Sequence, residues 1–239
     1  MDYLKLIERG IEELTPEVCN MIATAFRWGN CGLERNVSKA VHYLEFAAKS
    51  DHSKSMYELG DIYYWGIGIE KDREKAEYWY TLAAEAGYAE AQYALGYIFS
   101  QKNDLEQEIE WFWHAAKQGH LPSQVKLGSI YYFTKKEYEQ AANWFEIAAE
   151  ERDMDAEYYL AECYRYGNGR EKNIEKAVSL YKAAFVDGND RAAWELGKIY
   201  HYGEDAIESN VNKAIYWYKK AANSGIPYAQ EILKELENI

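Results

Sequence analysis

The stretch Leu59–Gly87, LGDIYYWGIGIEKDREKAEYWYTLAAEAG, decides the fold of this chain. Leu59-Gly60 and Tyr63 lie three to four residues apart, which puts them on one helical face. Gly66-Ile67-Gly68 then interrupts the pattern, and Ala76, Trp79 and Ala83 open a second face with the same spacing. Gly87 follows four residues later, where a left-handed residue ends a helix. The unit therefore reads as helix A, loop, helix B, turn. A glycine inside helix A costs about 1 kcal/mol against alanine. Gly60 is tolerable there if helix B comes too close for a side chain.

The same unit recurs on both sides of this stretch. Helix B carries Ala40/Tyr43/Ala47, Ala76/Trp79/Ala83, Glu108/Trp111/Ala115, Ala141/Trp144/Ala148, Ala177/Leu180/Ala184 and Ala214/Trp217/Ala221. The turn positions are Asp51, Gly87, Gly119, Arg152, Gly188 and Gly225. Small residues start the next helix at Ser55, Ala91, Ser123, Ala156, Ala192 and Ala229, spaced 36, 32, 33, 36 and 37 apart. Helix A carries Ile22-Ala23, Leu59-Gly60, Leu95-Gly96, Leu127-Gly128, Leu160-Ala161 and Leu196-Gly197, each with an aromatic after it. A period of this length is the mark of a repeat architecture.

These residues resemble the signature of Sel-one-like repeats, relatives of the tetratricopeptide repeats. The second unit matches through Leu59, Gly60, Tyr63, Gly66, Gly68, Asp72, Lys75, Ala76, Trp79, Tyr80, Ala83, Ala84 and Gly87. In the fifth and sixth units Asn173 and Asn210 replace the aspartate, and the third and fourth lack the G-x-G loop. The resemblance implies an all-α, right-handed superhelical solenoid of six helix-turn-helix repeats. The expected boundaries are 15–54, 55–90, 91–122, 123–155, 156–191 and 192–228. A capping helix is expected over 1–14, with Tyr3, Leu4 and Ile7 facing inward, and another over 229–239. One continuous domain is expected, since no Pro/Gly/Ser linker divides it. Thr15-Pro16 reads as an N-cap followed by proline at the first helical position.

The resemblance also implies a non-catalytic scaffold or adaptor, as the family is known for such roles. Its members include bacterial host-interaction factors and proteins encoded beside toxins. The alternatives are therefore an immunity or antitoxin protein and an exported host-interaction factor. Charge bears on the choice. The 239 residues hold 27 Lys and Arg against 40 Asp and Glu, a net charge of -13. Nucleic acid and anionic membranes repel such a chain, whereas a basic protein, such as a toxin, is attracted. No apolar run is long enough to span a membrane. Met1-Asp2-Tyr3-Leu4-Lys5 lacks the pattern of a secretory leader, so a cytoplasmic location is expected. A monomer or weak dimer is expected.

By analogy with tetratricopeptide stacks, the third, seventh, tenth and eleventh positions of each unit line the concave surface. The partner-binding set expected there is Tyr57, Tyr64, Trp65, Tyr93, Tyr97, Tyr132, Tyr158, Arg165, Tyr166, Trp194, Lys198, His201 and Tyr202. The seventh position also holds Asp61 and Glu162, and the eleventh Trp28, Gln101 and Phe133. Tyrosine and tryptophan offer large area, few rotatable bonds and a polar handle, which suits a peptide groove. Against that, an aromatic beside a loop also serves to brace it. Trp79, Trp111, Trp144 and Trp217 on helix B are expected in the core. Acids at the turns, such as Asp153, Asp155, Asp187 and Asp190, are expected to favour helix N-termini.

No catalytic, metal or cofactor constellation emerges. The histidines 42, 52, 114, 120 and 201 follow no metal-binding spacing. The glycine pairs lack the strand and third glycine of a dinucleotide site. Cys19, Cys31 and Cys163 form no CxxC pair. Cys163 sits beside Glu162 among apolar neighbours, an environment that raises a thiol pKa and suits no nucleophile.

Overall fold

The computed structural model describes residues 3–237. Among them it is an all-α solenoid. A short α1 (Tyr3–Glu8) and a 3-10 turn, Ile11–Glu13, precede the repeats. The repeats are α2 (Pro16–Trp28) with α3 (Val37–Ala48), α4 (Ser53–Trp65) with α5 (Arg73–Glu85), and α6 (Ala89–Gln101) with α7 (Leu105–Lys117). Then come α8 (Leu121–Ser129) with α9 (Tyr138–Glu150), α10 (Met154–Tyr166) with α11 (Ile174–Asp187), and α12 (Arg191–Tyr202) with α13 (Val211–Asn223). α14 (Pro227–Glu237) follows. The chain forms two compact units that divide between His120 and Leu121.

Local chemistry explains the helix starts. The Thr15 hydroxyl accepts the Val18 amide, with Pro16 at the first helical position as the sequence indicates. Helix B starts by one device in five of the six repeats. Asn36, Asp72, Asp104, Asn173 and Asn210 each accept the amide three residues on. Such caps stabilise a helix by about 1 kcal/mol each. Only Glu137, ahead of α9, makes no such bond. In that repeat α8 passes into a π-helical turn, Ile130–Lys135, which ends at the left-handed Lys136. All six turn positions, glycine or not, are left-handed: Asp51, Gly87, Gly119, Arg152, Gly188 and Gly225.

The core is a series of side chains set against the small residues of helix A. A Cβ added to Gly60 would fall 2.5 Å from the Tyr80 ring, and Gly96, Gly128 and Gly197 meet Phe112, Phe145 and Tyr218 as closely. The glycine is there because a ring fills its place. The corresponding side chains are Leu44, Tyr80, Phe112, Phe145, Tyr181 and Tyr218, all at most 3% exposed. The expectation for the tryptophans is corrected here. Trp79, Trp111, Trp144 and Trp217 stand one residue earlier and are only half-buried. A helix advances 100° per residue, so neighbours cannot share the centre of a buried face.

In the first unit, Tyr3, Leu6, Ile7 and Ile11 pack against the core. Leu4 points outward, 56% exposed, and Leu6 takes the place expected of it. Met1 and Asp2 of the expected N-terminal cap lie outside the described residues. In the second unit α14 buries Ala229 and Leu236, with Ile232 and Leu233 half-buried. Asn238 and Ile239 of the expected C-terminal cap lie outside the described residues.

Candidate functional site

The first unit holds a pocket of about 420 Å³. Its walls come from α4 (Tyr57, Asp61, Tyr64, Trp65), α5 (Tyr80) and α6 (Glu90, Tyr93, Ala94, Tyr97, Gln101). All five first-unit residues expected from the sequence, Tyr57, Tyr64, Trp65, Tyr93 and Tyr97, meet here. They do so because positions three, seven, ten and eleven share one face of helix A, and α4 and α6 present that face side by side. Tyr80 and Glu90 are not in the expected set. Tyr80 reaches through from the core, its hydroxyl donating to Asp61 Oδ1 at 2.7 Å. Glu90 comes from the first turn of α6.

The rings brace one another. Tyr57 packs on Tyr80 and Tyr88, with centroids 5.7 and 5.4 Å away. Tyr64 and Trp65 meet edge-on at 4.8 Å, and Tyr93 and Tyr97 at 5.6 Å. At the rim, Gln101 donates to the Tyr64 hydroxyl at 2.9 Å and accepts from Arg73 at 3.1 Å. Burial pushes the Asp61 carboxyl above its ordinary range, against hydrogen bonds from Tyr80 and Tyr57 and the charge of Arg27. Burial likewise raises Glu58, against a hydrogen bond from Asn20.

The second unit has the same kind of face with its charges already paired. Arg165 is 7% exposed. Its guanidinium donates to Glu195 at 2.7 Å and to Glu204 at 2.9 Å. Lys198 reaches the same Glu195 at 2.6 Å. The Tyr181 hydroxyl donates to Glu162, repeating the Tyr80–Asp61 arrangement. Burial pushes Glu162 up, against that hydrogen bond. Arg191 lies over the Tyr158 ring at 4.6 Å. Tyr132 accepts from Asn168 at 3.0 Å. Trp194 packs on Tyr218 at 5.3 Å, and His201 stacks on Tyr202 at 4.3 Å. Arg165 and Lys198 are thus held by carboxylates of the chain itself.

The eleventh position stands apart from the rest of helix A. Trp28, Trp65, Phe133, Tyr166 and Tyr202 are 51–70% exposed. These rings lie on the surface and contribute little to the core. Three of the four turn acids are engaged internally, whereas Asp190 makes no side-chain cap to α12. Asp153 caps α10, Asp187 pairs with Arg152, and Asp155 holds Asn189 and Arg191. Cys163 is buried, and burial pushes its thiol up to about 12. No helix among the described residues is long and apolar enough to cross a membrane.

A family model described as Sel1 repeat matches residues 16–52, 53–88, 89–120, 121–153, 155–185 and 190–226. The chain is 31% identical over 225 residues to the uncharacterized protein NMB1327 of Neisseria meningitidis serogroup B, across 93% of this chain and 46% of that protein. It is 28% identical over 226 residues to the chitin synthase regulator SKT5 of Saccharomyces cerevisiae, across 87% of this chain and 28% of that one. Among solved structures, c5321 is described as a protective antigen of uropathogenic Escherichia coli with an SLR fold. It superposes with a TM-score of 0.86 at 27% identity, over 97% of this chain and 50% of its own. A Sel1 repeat protein from Oxalobacter formigenes gives 0.69 at 28%, over 87% and 85%. The chain therefore spans less than half the length of these two sequence relatives.

Proposed function

The chain belongs to the Sel1 repeat family, and on that premise we propose that it is a non-catalytic adaptor that holds a protein or peptide against its helix A faces. Proteins of this family are protein-interaction scaffolds. One observation carries the finer reading: five of the six repeats keep a large aromatic at the eleventh position and leave it exposed. A buried ring repeated at one site is explained by packing. An exposed one, braced by a neighbouring ring or guanidinium, keeps at least half of its surface for a partner to cover. The proposed contact set is the one the sequence indicates, weighted toward Trp65, Tyr97, Tyr166 and Tyr202. The yeast relative named for regulating an enzyme accords with action on another protein.

A second reading, inhibition of a basic toxin, draws on the net charge of -13. Affinity purification from the native lysate tests both. The double variants Trp65→Ala/Tyr97→Ala and Tyr166→Ala/Tyr202→Ala are compared with the parent chain at low and high salt. Loss of the captured partner in either variant, with helical circular dichroism unchanged, supports the adaptor. Capture unchanged by both variants refutes it. A single basic partner released by salt favours the inhibitor, because screening removes long-range attraction.

A further inference from the structure

We propose that the first-unit pocket is a receptor for an arginine side chain of a protein partner. This rests on the reading of helix A faces as partner surfaces and names the chemistry recognised there. The pocket unites two features that select a cation. It is lined by five tyrosines and a tryptophan, ring types whose negative quadrupoles attract a cation within about 6 Å of the ring centre. Its lining also includes two acidic residues, Asp61 and Glu90. The volume of about 420 Å³ is ample for one extended side chain.

Charge complementarity points the same way. The basic side chain whose charge reaches Asp61 is Arg27 of α2, which lies over the Trp28 ring and does not line the pocket. Arg73 stays at the rim, over Tyr64 and bonded to Gln101. Asp61 is half-buried, with the Tyr80 hydroxyl on one of its oxygens. A carboxylate desolvated in this way gains most from an arriving cation.

The second unit shows what such a face does with a guanidinium. Arg191 lies over Tyr158, the counterpart of Tyr57 and Tyr93, and Arg165 bridges Glu195 and Glu204. There the cation comes from within the chain. In the first unit the rings and carboxylates line an open pocket instead. Arginine is favoured over lysine because a planar, weakly hydrated guanidinium stacks on aromatic faces while donating to carboxylates.

The test uses the full chain and two blocked pentapeptides, Gly-Ala-Arg-Ala-Gly and its citrulline analogue, which keeps shape and removes charge. Binding is followed by amide chemical shifts. The arginine peptide is expected to move resonances of 57–65 and 90–101 saturably, with an affinity about tenfold above that of the citrulline peptide. Asp61→Asn keeps an acceptor for Tyr80 and is expected to cut that preference to about twofold. Trp65→Ala, at an exposed position, is expected to weaken both peptides with Tm unchanged. Equal affinity for the two peptides overturns arginine recognition while leaving the adaptor reading to the lysate experiment. No shift at about 10 mM peptide, or shifts confined to other residues, overturns it as well.

Discussion

Gly96→Ala sets two magnitudes against each other at one atom. On an exposed helix the change would stabilise by about 1 kcal/mol, from helix propensity alone. Here the new Cβ would sit 2.6 Å from Cδ1 and Cε1 of Phe112 and 2.9 Å from Cγ. Carbon atoms in contact prefer about 3.5–4.0 Å, so the ring must retreat by roughly 1 Å. It has nowhere to go: Phe112 is 1% exposed, with Tyr93 and Tyr97 packed on it at 5.5 and 6.3 Å. Overpacking of this kind costs about 1–3 kcal/mol. The net expectation is a loss of about 1 kcal/mol, opposite in sign to the propensity. Phe112→Leu alone should cost about 1–2 kcal/mol through the space it leaves. The double variant should then be more stable than the sum predicts by about 1–2 kcal/mol, because the methyl enters the vacated space.

The chain contains a precedent, since the first repeat holds Ala23 and Leu44 at these two positions, both buried. The fifth holds Ala161 with Tyr181, so a repeat built around the methyl tolerates a ring. A single substitution in the third repeat lacks those adjustments. Urea unfolding followed by far-ultraviolet circular dichroism gives the cycle. Stabilisation by Gly96→Ala, or strict additivity in the double variant, would refute the account of why helix A carries glycine.

Four further outcomes are expected. Asp51 is left-handed at φ 56°, so Asp51→Gly should raise stability by about 0.5–1 kcal/mol, read as a rise in Tm. Phe145→Ala should cost about 3–5 kcal/mol in urea unfolding and the half-buried Trp144→Ala distinctly less; the reverse order would place the tryptophan in the core. Arg165→Met leaves Glu195 with Lys198 alone and takes from Glu204 its guanidinium partner, and should cost about 2–4 kcal/mol at neutral pH, part of it recovered by Arg165→Met/Glu204→Gln. Asp61 has its folded-state pKa raised by burial, so between the ordinary carboxylate pKa and the raised one the folded chain keeps a proton that the unfolded chain has released. That contribution to stability therefore falls as pH rises from the ordinary carboxylate range upward. Asp61→Asn should raise Tm at about pH 7 and leave it unchanged at about pH 3; a lowered Tm at neutral pH would contradict the sign.

The sequence made the repeat legible because its marks are local. Small residues and a left-handed turn recur at fixed distances, and each has one steric cause. Asp51 and Arg152 hold that turn without glycine, so position identifies it better than residue type. The tryptophan assignment failed for a geometric reason. Counting from Ala76, one helical turn ends between Trp79 and Tyr80, so spacing fits either. The fifth repeat held the deciding signal: its tryptophan position is Leu180, while Tyr181 keeps the ring. The caps were visible too, as Asn or Asp directly before helix B, with the same residue types at Asn36, Asp72, Asp104, Asn173 and Asn210.

The candidate site was legible only as a face, because a face is a property of one helix and a pocket is a property of three. Positions three, seven, ten and eleven follow from the period of α4 or α6 alone. Tyr80 enters the pocket because the ring that fills the space at Gly60 carries a hydroxyl long enough to reach Asp61. Phe112 and Phe145, at the same position in the next two repeats, have no such atom. One oxygen on a core residue therefore joins packing to the proposed recognition, and comparing α5, α7, α9, α11 and α13 reveals which repeats have it: those of Tyr80, Tyr181 and Tyr218. The charges obey the same logic. Arg165 reads from sequence as a free anchor, yet its partners Glu195 and Glu204 are 30 and 39 residues away. Those distances correspond to the next repeat, so whether a helix A cation is spent or available is decided by its neighbour in the stack. In the first unit Arg27 reaches Asp61 by its charge but does not line the pocket between α4 and α6, and that difference between two faces of one repeat pattern is what gives the arginine test its meaning.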